Sequence, residues 1–340
     1  MPPIRLRLLG LVLSLTAAFS AAIPAAAADA PPPPPPKAPA GETSAPTSAE
    51  VLAASSPSDW RPLDPANTLY VELPGGRVVI ELAPAFAPRT VANVEQLVRQ
   101  RYFDGLAATR SQDDYVVQWG DPHASDKAKR RSLGKAKAKV PAELDRPIAP
   151  DLPFTPLPDG DVYAPEVGFS LGFPVARDPA AETTWLTHCY GMVGVGRDVA
   201  RDSGNGSEIY AVIGHSPRHL DRNVTLIGRV VQGMEVLSTL PRGHGDLGFY
   251  TDPSRDVPIR SIRLGSELSP AERANLELLR TDTATFRAWI DSRRWRREGW
   301  FLDSVGKVSL CNVPLPVRES KAEPAADSGK PGESGNPGRE

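Results

Sequence analysis

Apolar and polar positions alternate from Thr68 to Leu73, and the alternation resumes from Arg77 to Leu82 after Gly75-Gly76. A period of two is that of a half-buried strand, and Val78, Ile80 and Leu82 share one face of the second. Gly75-Gly76 fits a tight hairpin turn between them. Beyond the breaker region Pro84 to Pro88 the period lengthens. Val91, Val94, Leu97 and Val98 fall on one face of a helix over about Arg89 to Arg101. Phe103-Asp104-Gly105 has turn chemistry. Leu106–Arg110 and Tyr115–Gln118 then read as short strands joined by the polar Ser111–Asp114. Met192–Val195 and Ile209–Ile213 read as buried strands with a polar loop, Arg197–Gly206, between them. Val224–Val231 is a further strand, and Pro258–Leu264 alternates as a closing one. Ser269-Pro270-Ala271-Glu272 carries a capping box with proline at the first helical position, which predicts a helix running to about Trp300. Leu276, Leu279, Phe286, Trp289 and Ile290 give that helix an apolar face. Arg293, Arg294, Arg296 and Arg297 enrich its C-terminal end in cations, which suits the dipole. Phe301–Leu315 is expected to pack back on the domain.

The two ends differ from this pattern. Arg5 and Arg7 precede an apolar run, Leu8 to Ala22, that is short for a membrane span and is followed by Ala26-Ala27-Ala28. Residues 1–28 therefore read as a cleavable signal peptide. The expected location is the bacterial periplasm, with secretion as second choice. Residues 29–62 read as a disordered Pro/Ala-rich linker, opened by an unbroken proline run from Pro31 to Pro36 that favours polyproline II. The folded domain is expected over 63–266, a helical extension over 267–317 and a disordered polar tail over 318–340. Within the domain, about 146–188 reads as an insertion. It is rich in proline but carries Phe154, Tyr163, Phe169, Phe173 and Trp185, which a disordered segment would not keep. It is expected to be ordered, to pack on the domain surface and to line or lengthen any groove there.

A net charge of −2 provides no global field for nucleic acid or anionic membrane. Lys127, Lys129, Arg130, Arg131, Lys135, Lys137 and Lys139 form a local basic run, but no aromatic residue interleaves with it, so a solvated loop is the expectation. The two cysteines, Cys189 and Cys311, leave two readings open: separate buried thiols, or, in an oxidising compartment, one disulfide tying the tail to the core. His123, His188, His215, His219 and His244 show no metal-ligand spacing, and no Gly-X-Ser-X-Gly elbow occurs. No cofactor and no metal are expected.

The run Tyr102–Asp121, YFDGLAATRSQDDYVVQWGD, places Arg110, Tyr115, Gln118 and Asp121 at the spacing of the F-H-R-I-I-P-G-F-M-C-Q-G-G-D motif. In this it resembles the cyclophilin peptidyl-prolyl isomerases. Gly191–Gly196 is similar to that family's G-I-L-S-M-A, and Asn205–Tyr210 to its N-G-S-Q-F-F. His219-Leu220-Asp221 through Val230 to Gly233-Met234 resembles W-L-D…V-F-G-K-V…G-M, and Val140–Leu144 resembles the extended segment before the second motif. The resemblance covers most of Thr68–Leu264. It implies a mainly β fold: a closed antiparallel β-barrel capped by helices, here with a C-terminal helical extension.

The same resemblance implies that Arg110 and Gln118 are catalytic. Tyr115, Val116, Gly196, Glu208, Tyr210, His219 and Leu220 would contact a proline-containing substrate. Four positions depart from the family: Tyr210 for Phe, Glu208 for Gln, Val224 for His, and Gly196-Arg197 for Ala-Asn. Two functions stay open. One is isomerisation of X-Pro bonds in exported proteins. The other is a weakly active or inactive module that binds proline peptides or serves as an envelope scaffold. The expected partners are proline-containing segments of unfolded or exported chains, with no nucleic acid and no membrane span in the mature chain. The expected state is a monomer.

Overall fold

The computed structural model describes residues 46–320. The expected leader, the first part of the expected linker and nearly all of the expected tail lie outside the described residues.

Helix α1 (Ser48–Ala53) opens the described chain, with Thr47 and Glu50 forming a reciprocal capping box. Strand β1 (Trp60–Pro62) follows. The linker expected to reach residue 62 is thus ordered from Ser48 onward. The reason is tertiary: Val51 and Trp60 are buried, and β1 pairs with a strand more than 200 residues away. The hairpin β2 (Thr68–Leu73) and β3 (Gly76–Leu82) stands where the alternation places it. Gly76 has φ 141°, a backbone conformation that side-chain-bearing residues seldom adopt.

Helix α2 (Pro88–Arg99) begins on proline, and its preceding residue, Ala87, provides no side-chain cap. Glu143 supplies it from a distance, accepting the N–H groups of Arg89 at 3.1 Å and Thr90 at 2.8 Å. Strands β4 (Ala107–Ser111) and β5 (Val116–Gly120) complete the first half.

The insertion is ordered. It forms β6 (Arg146–Pro147), β7 (Thr155–Pro156), β8 (Glu166–Ser170), β9 (Phe173–Asp178) and β10 (Thr183–Leu186), an antiparallel sheet in the order β6-β10-β9-β8-β7. The chain then returns to the main sheet with β11 (Met192–Val195), β12 (Ile209–Val212) and β13 (Leu226–Gln232). Helix α3 (Met234–Ser238), β14 (Val257–Pro258) and β15 (Ser261–Leu264) follow. The main sheet is curled and nine-stranded, in the order β14-β4-β5-β12-β11-β13-β3-β2-β15. Its two edge strands are successive pieces of one segment. The Ile259 N–H donates to Leu106 and the next, that of Arg260, to Glu72.

The helix predicted from Ser269 to about Trp300 is corrected in its first half. The Ser269–Glu272 capping box is present but caps a single 3₁₀ turn. Leu276 and Leu279 lie in β16 (Leu276–Leu279), which pairs with β1 on one side and β17 (Val317–Glu319) on the other. Two strand partners satisfy the backbone of this segment, and long-range pairing outweighs the local helix signal. Helix α4 (Ala284–Arg294) starts only after a new cap, Thr283, whose hydroxyl accepts the Phe286 N–H. The extension is therefore strand and helix, and residues 318–319, expected in the tail, belong to β17.

Two main cores result. Inside the curled sheet, Ile80, Val193, Ile209 and Ile227 pack with Val94, Leu97 and Val98 of α2. A second core joins the insertion to the extension: Phe169, Phe173, Val175 and Trp185 pack with Phe286, Trp289 and Ile290 of α4. Phe169 meets Phe286 edge-on at 5.0 Å between ring centroids. The cysteines form a disulfide, Cys189–Cys311, linking the end of the insertion to the extension. The bond closes a separation of 122 residues, so it restricts the unfolded chain strongly. Replacing Cys311→Ser should lower stability by about 2–4 kcal/mol, read as an earlier midpoint in urea denaturation.

Candidate active site

The register of β4, β5, β12 and β11 builds one row of side chains across the outer face of the sheet. Arg110 is opposite Gln118, Gln118 opposite Tyr210, and Tyr210 opposite Gly194. Neighbours along each strand alternate: Val117, Trp119, Ile209, Ala211, Val193 and Val195 point inward and belong to the main core. Arg110 joins the outer row only because β4 carries a bulge. Ala108 faces Trp119 and Arg110 faces Gln118, so the intervening Thr109 is an extra residue. Were the pairing regular, with Thr109 opposite Gln118, Arg110 would stand opposite Val117 and point into the core.

The guanidinium of Arg110 is held on three sides. Its Nε donates to the carbonyl of Leu247 at 2.6 Å, Nη1 to Oε1 of Gln118 at 3.1 Å and Nη2 to Oε1 of Gln112 at 2.5 Å. It lies over the rings of Tyr115 and Phe249 at 5.6 and 5.3 Å. Partial burial holds it below the ordinary arginine range, while Tyr115 and Glu208 act the other way; it stays a cation. Asp113 and Asp114 are committed elsewhere. Asp113 pairs with Arg242 at 2.9 Å, and Asp114 accepts the His215 N–H at 2.6 Å.

Gln118 is the relay in this row. Its Oε1 faces Arg110, and its Nε2 donates to Oε2 of Glu208 at 2.5 Å. The carboxylate thereby fixes which end of the amide points to the cation. Burial pushes the Glu208 carboxyl up, and Asp198 and Asp121 push the same way, while Gln118 and Arg110 oppose them. Gly196 lies against this bond: a Cβ there would be 3.3 Å from both Nε2 of Gln118 and Oε2 of Glu208.

Beside the polar row is a small apolar cluster. Val116, Tyr210 and Val212 are buried in it, with Tyr115 and Val224 packed against them. Tyr115 therefore connects the cation to the apolar surface. His219 is exposed and stacks parallel to the Tyr115 ring at 6.4 Å. Leu220, half-buried, follows it in a 3₁₀ turn, Arg218–Leu220. The structure thus places Arg110, Gln118, Glu208, Gly196, Tyr115, Val116, Tyr210 and His219 around one strip of surface, with Leu220 on the adjoining turn.

The family described as cyclophilin type peptidyl-prolyl cis-trans isomerase/CLD matches residues 68–264. The chain belongs to the cyclophilin-type peptidyl-prolyl cis-trans isomerases. It is 24% identical over 213 residues to "Peptidyl-prolyl cis-trans isomerase-like 1" of Homo sapiens, covering 63% of this chain and 96% of the relative. It is 27% identical over 195 residues to a "Probable peptidyl-prolyl cis-trans isomerase" of Brucella suis, covering 57% of this chain and 82% of the relative. Among solved structures, the cyclophilin AquaCyp293 from Hirschia baltica matches with a TM-score of 0.59 and 27% identity, over 77% of this chain and 94% of that one. That match covers a larger share of the chain than residues 68–264 do.

Sequence reading missed Gln112, Leu247, Phe249 and Val212. Leu247 acts through a backbone carbonyl and has no side-chain signal. It is held at φ 56°, in a loop that bridges to β4 through Phe249 and Arg110. Phe249, an aromatic in a Gly-rich polar loop, was the one visible cue. The charged side chains of the basic run from Lys127 to Lys139 are exposed; Arg131 is tied down by its donation to the carbonyls of Tyr102 and Asp104. Among the described residues no group of His, Cys, Asp or Glu could hold a metal ion.

The raised carboxyl gives a pH prediction. As pH falls through the Glu208 pKa, the anionic acceptor of Gln118 and the counter-charge of Arg110 are lost together. Isomerase activity should fall about threefold on that limb, above the ordinary carboxylate range. Glu208→Gln should flatten it in a kcat/KM–pH profile. Protonation of Glu208 does not itself destabilise the fold, because a carboxyl whose folded pKa is raised gives stability that is lost as pH rises, not as it falls.

Proposed function

We propose that Arg110 and the strip beside it catalyse rotation about X-Pro bonds in exported polypeptides. Amide resonance sets a barrier of about 18–20 kcal/mol to this rotation. Twisting the amide returns a lone pair to the prolyl nitrogen. A fixed guanidinium aimed at that nitrogen stabilises the twisted state more than either planar one. Arg110 takes that role. Gln118 holds it and hydrogen-bonds the substrate backbone with help from Gly196. Tyr115, Val116, Tyr210 and Leu220 enclose the proline ring, with His219 at the rim. No covalent intermediate is needed.

The observation that carries this reading is the Arg110–Gln118 hydrogen bond, set in one cross-strand row beside the apolar cluster. In the same reading the curled sheet is a closed barrel; what supports this is that Val257–Leu264 supplies both of its edges. Export to the periplasm is supported by the leader-like residues 1–28 and by the Cys189–Cys311 bond, since disulfides persist in oxidising compartments. No helix among the described residues is long and apolar enough to cross a membrane. The protein acts as a monomer on proline-containing segments.

Removal of one preorganised donor of this kind costs roughly 3–4 kcal/mol. Arg110→Ala should therefore lower kcat/KM on a proline peptide by about 10²–10³-fold, with an unchanged circular dichroism spectrum. Equal rates for the two proteins would leave a binding module in place of an enzyme.

A further inference from the structure

A line of buried polar groups runs from the insertion to the floor of the apolar cluster. The hydroxyl of Tyr210 is 2.8 Å from Nε2 of His188, whose side chain is wholly buried. Nδ1 of His188 is 2.9 Å from Oδ1 of Asp221, and the same oxygen accepts the His188 backbone N–H at 2.8 Å. The other oxygen of Asp221 accepts Nε of Arg218 at 2.5 Å. The far end of that guanidinium donates to both oxygens of Asp161, at 2.9 and 3.1 Å, and lies over the Tyr163 ring.

The Asp221 carboxylate accepts, so Nδ1 of His188 carries a hydrogen toward it, and Nε2 is left to bond the Tyr210 hydroxyl. Burial holds the Tyr210 phenol far above its ordinary range, so it keeps its hydrogen.

The endpoints of the line are informative. Asp161 and His188 belong to the insertion. Arg218 and Asp221 bracket His219 and Leu220, so the turn is gripped at both ends. Tyr210 is fixed from two sides. Its hydroxyl is bonded to His188, and its ring occupies the space that a side chain at position 194 would fill. A Cβ there would fall 2.3–2.8 Å from its Oη, Cζ and Cε1. The Tyr for Phe departure and the glycine at 194 thus form one device.

We propose that His188 is a positioning residue for isomerisation. Through Tyr210 it fixes the floor of the proline pocket, and through Asp221 it fixes the rim turn, so the insertion sets the shape of the pocket. This rests on the isomerase reading above. Removing either neighbour leaves a buried polar group unpaired, and the loss is felt by the ring and turn that face substrate.

The test uses the full chain and a short peptide with one Ala-Pro bond. Kinetics and peptide Kd are measured for His188→Asn, His188→Gln, Tyr210→Phe and the Tyr210→Phe/His188→Asn double variant. Asn can keep the bond to Asp221 but cannot reach Tyr210; Gln places its amide where Nε2 stood. His188→Asn should lower kcat/KM about tenfold, mainly through KM, and His188→Gln should recover to within about threefold of wild type. Tyr210→Phe should cost about fivefold although it installs the residue of the family motif, and adding His188→Asn to it should cost less than about threefold more.

Losses that multiply in the double variant, or a Gln variant no better than Asn, overturn the proposal. Should His188→Asn not fold, Tyr210→Phe decides alone, and a rate within about twofold of wild type overturns it. Wild-type binding without turnover overturns the isomerase reading instead, and the same cycle read in Kd then decides for or against His188.

Discussion

One extra residue in a strand is the constraint on which the site rests. Thr109 shifts the register of β4 against β5, and only that shift turns Arg110 from the core face to the outer face. The bulge is itself held from outside the pair. The Thr109 carbonyl accepts the Tyr250 N–H at 2.9 Å, and the Ser111 carbonyl accepts that of Gly243. The loop that makes these bonds also places the Leu247 carbonyl on Arg110. A desolvated cation must have its donors satisfied, and here the satisfying groups also fix its direction.

The polar row and the second core meet at Tyr210. On one side, Glu208 orients Gln118, which orients Arg110, so an acidic residue in place of the family's glutamine is absorbed into the hydrogen-bonding order of the row. On the other, the hydroxyl of Tyr210 enters a buried line that ends in the insertion. A site carried on the main sheet is thus supported by a body of structure stapled through Cys189–Cys311 to the C-terminal extension. The added segments are packed, not appended: they contribute the aromatic half of the second core.

How much was legible follows from the range of each interaction. The hairpin β2–β3, helix α2 and strands β11 and β12 rest on periodicity and turn residues, which are local, and they stand where the pattern puts them. The helix expected from Ser269 failed because its capping box is equally content with one turn, and because Leu276–Leu279 has strand partners at residues 60–62 and 317–319. The order expected to begin near residue 63 begins earlier for the same reason, since Trp60 has nowhere to bury until α4 and β16 are in place.

The resemblance to the cyclophilin motifs singled out Arg110, Gln118, Tyr115 and Tyr210, because a strand's side-chain order is written in its residues. Spacing could not say which way Arg110 faces, because a bulge depends on the pairing of two strands. Nor could it supply Leu247, whose contribution is a carbonyl that any residue carries, or join Asp161, Arg218, Asp221 and His188. Those four are brought together by two loops and the end of an insertion, and only the folded chain, by excluding water from the space between them, makes their hydrogen bonds obligatory.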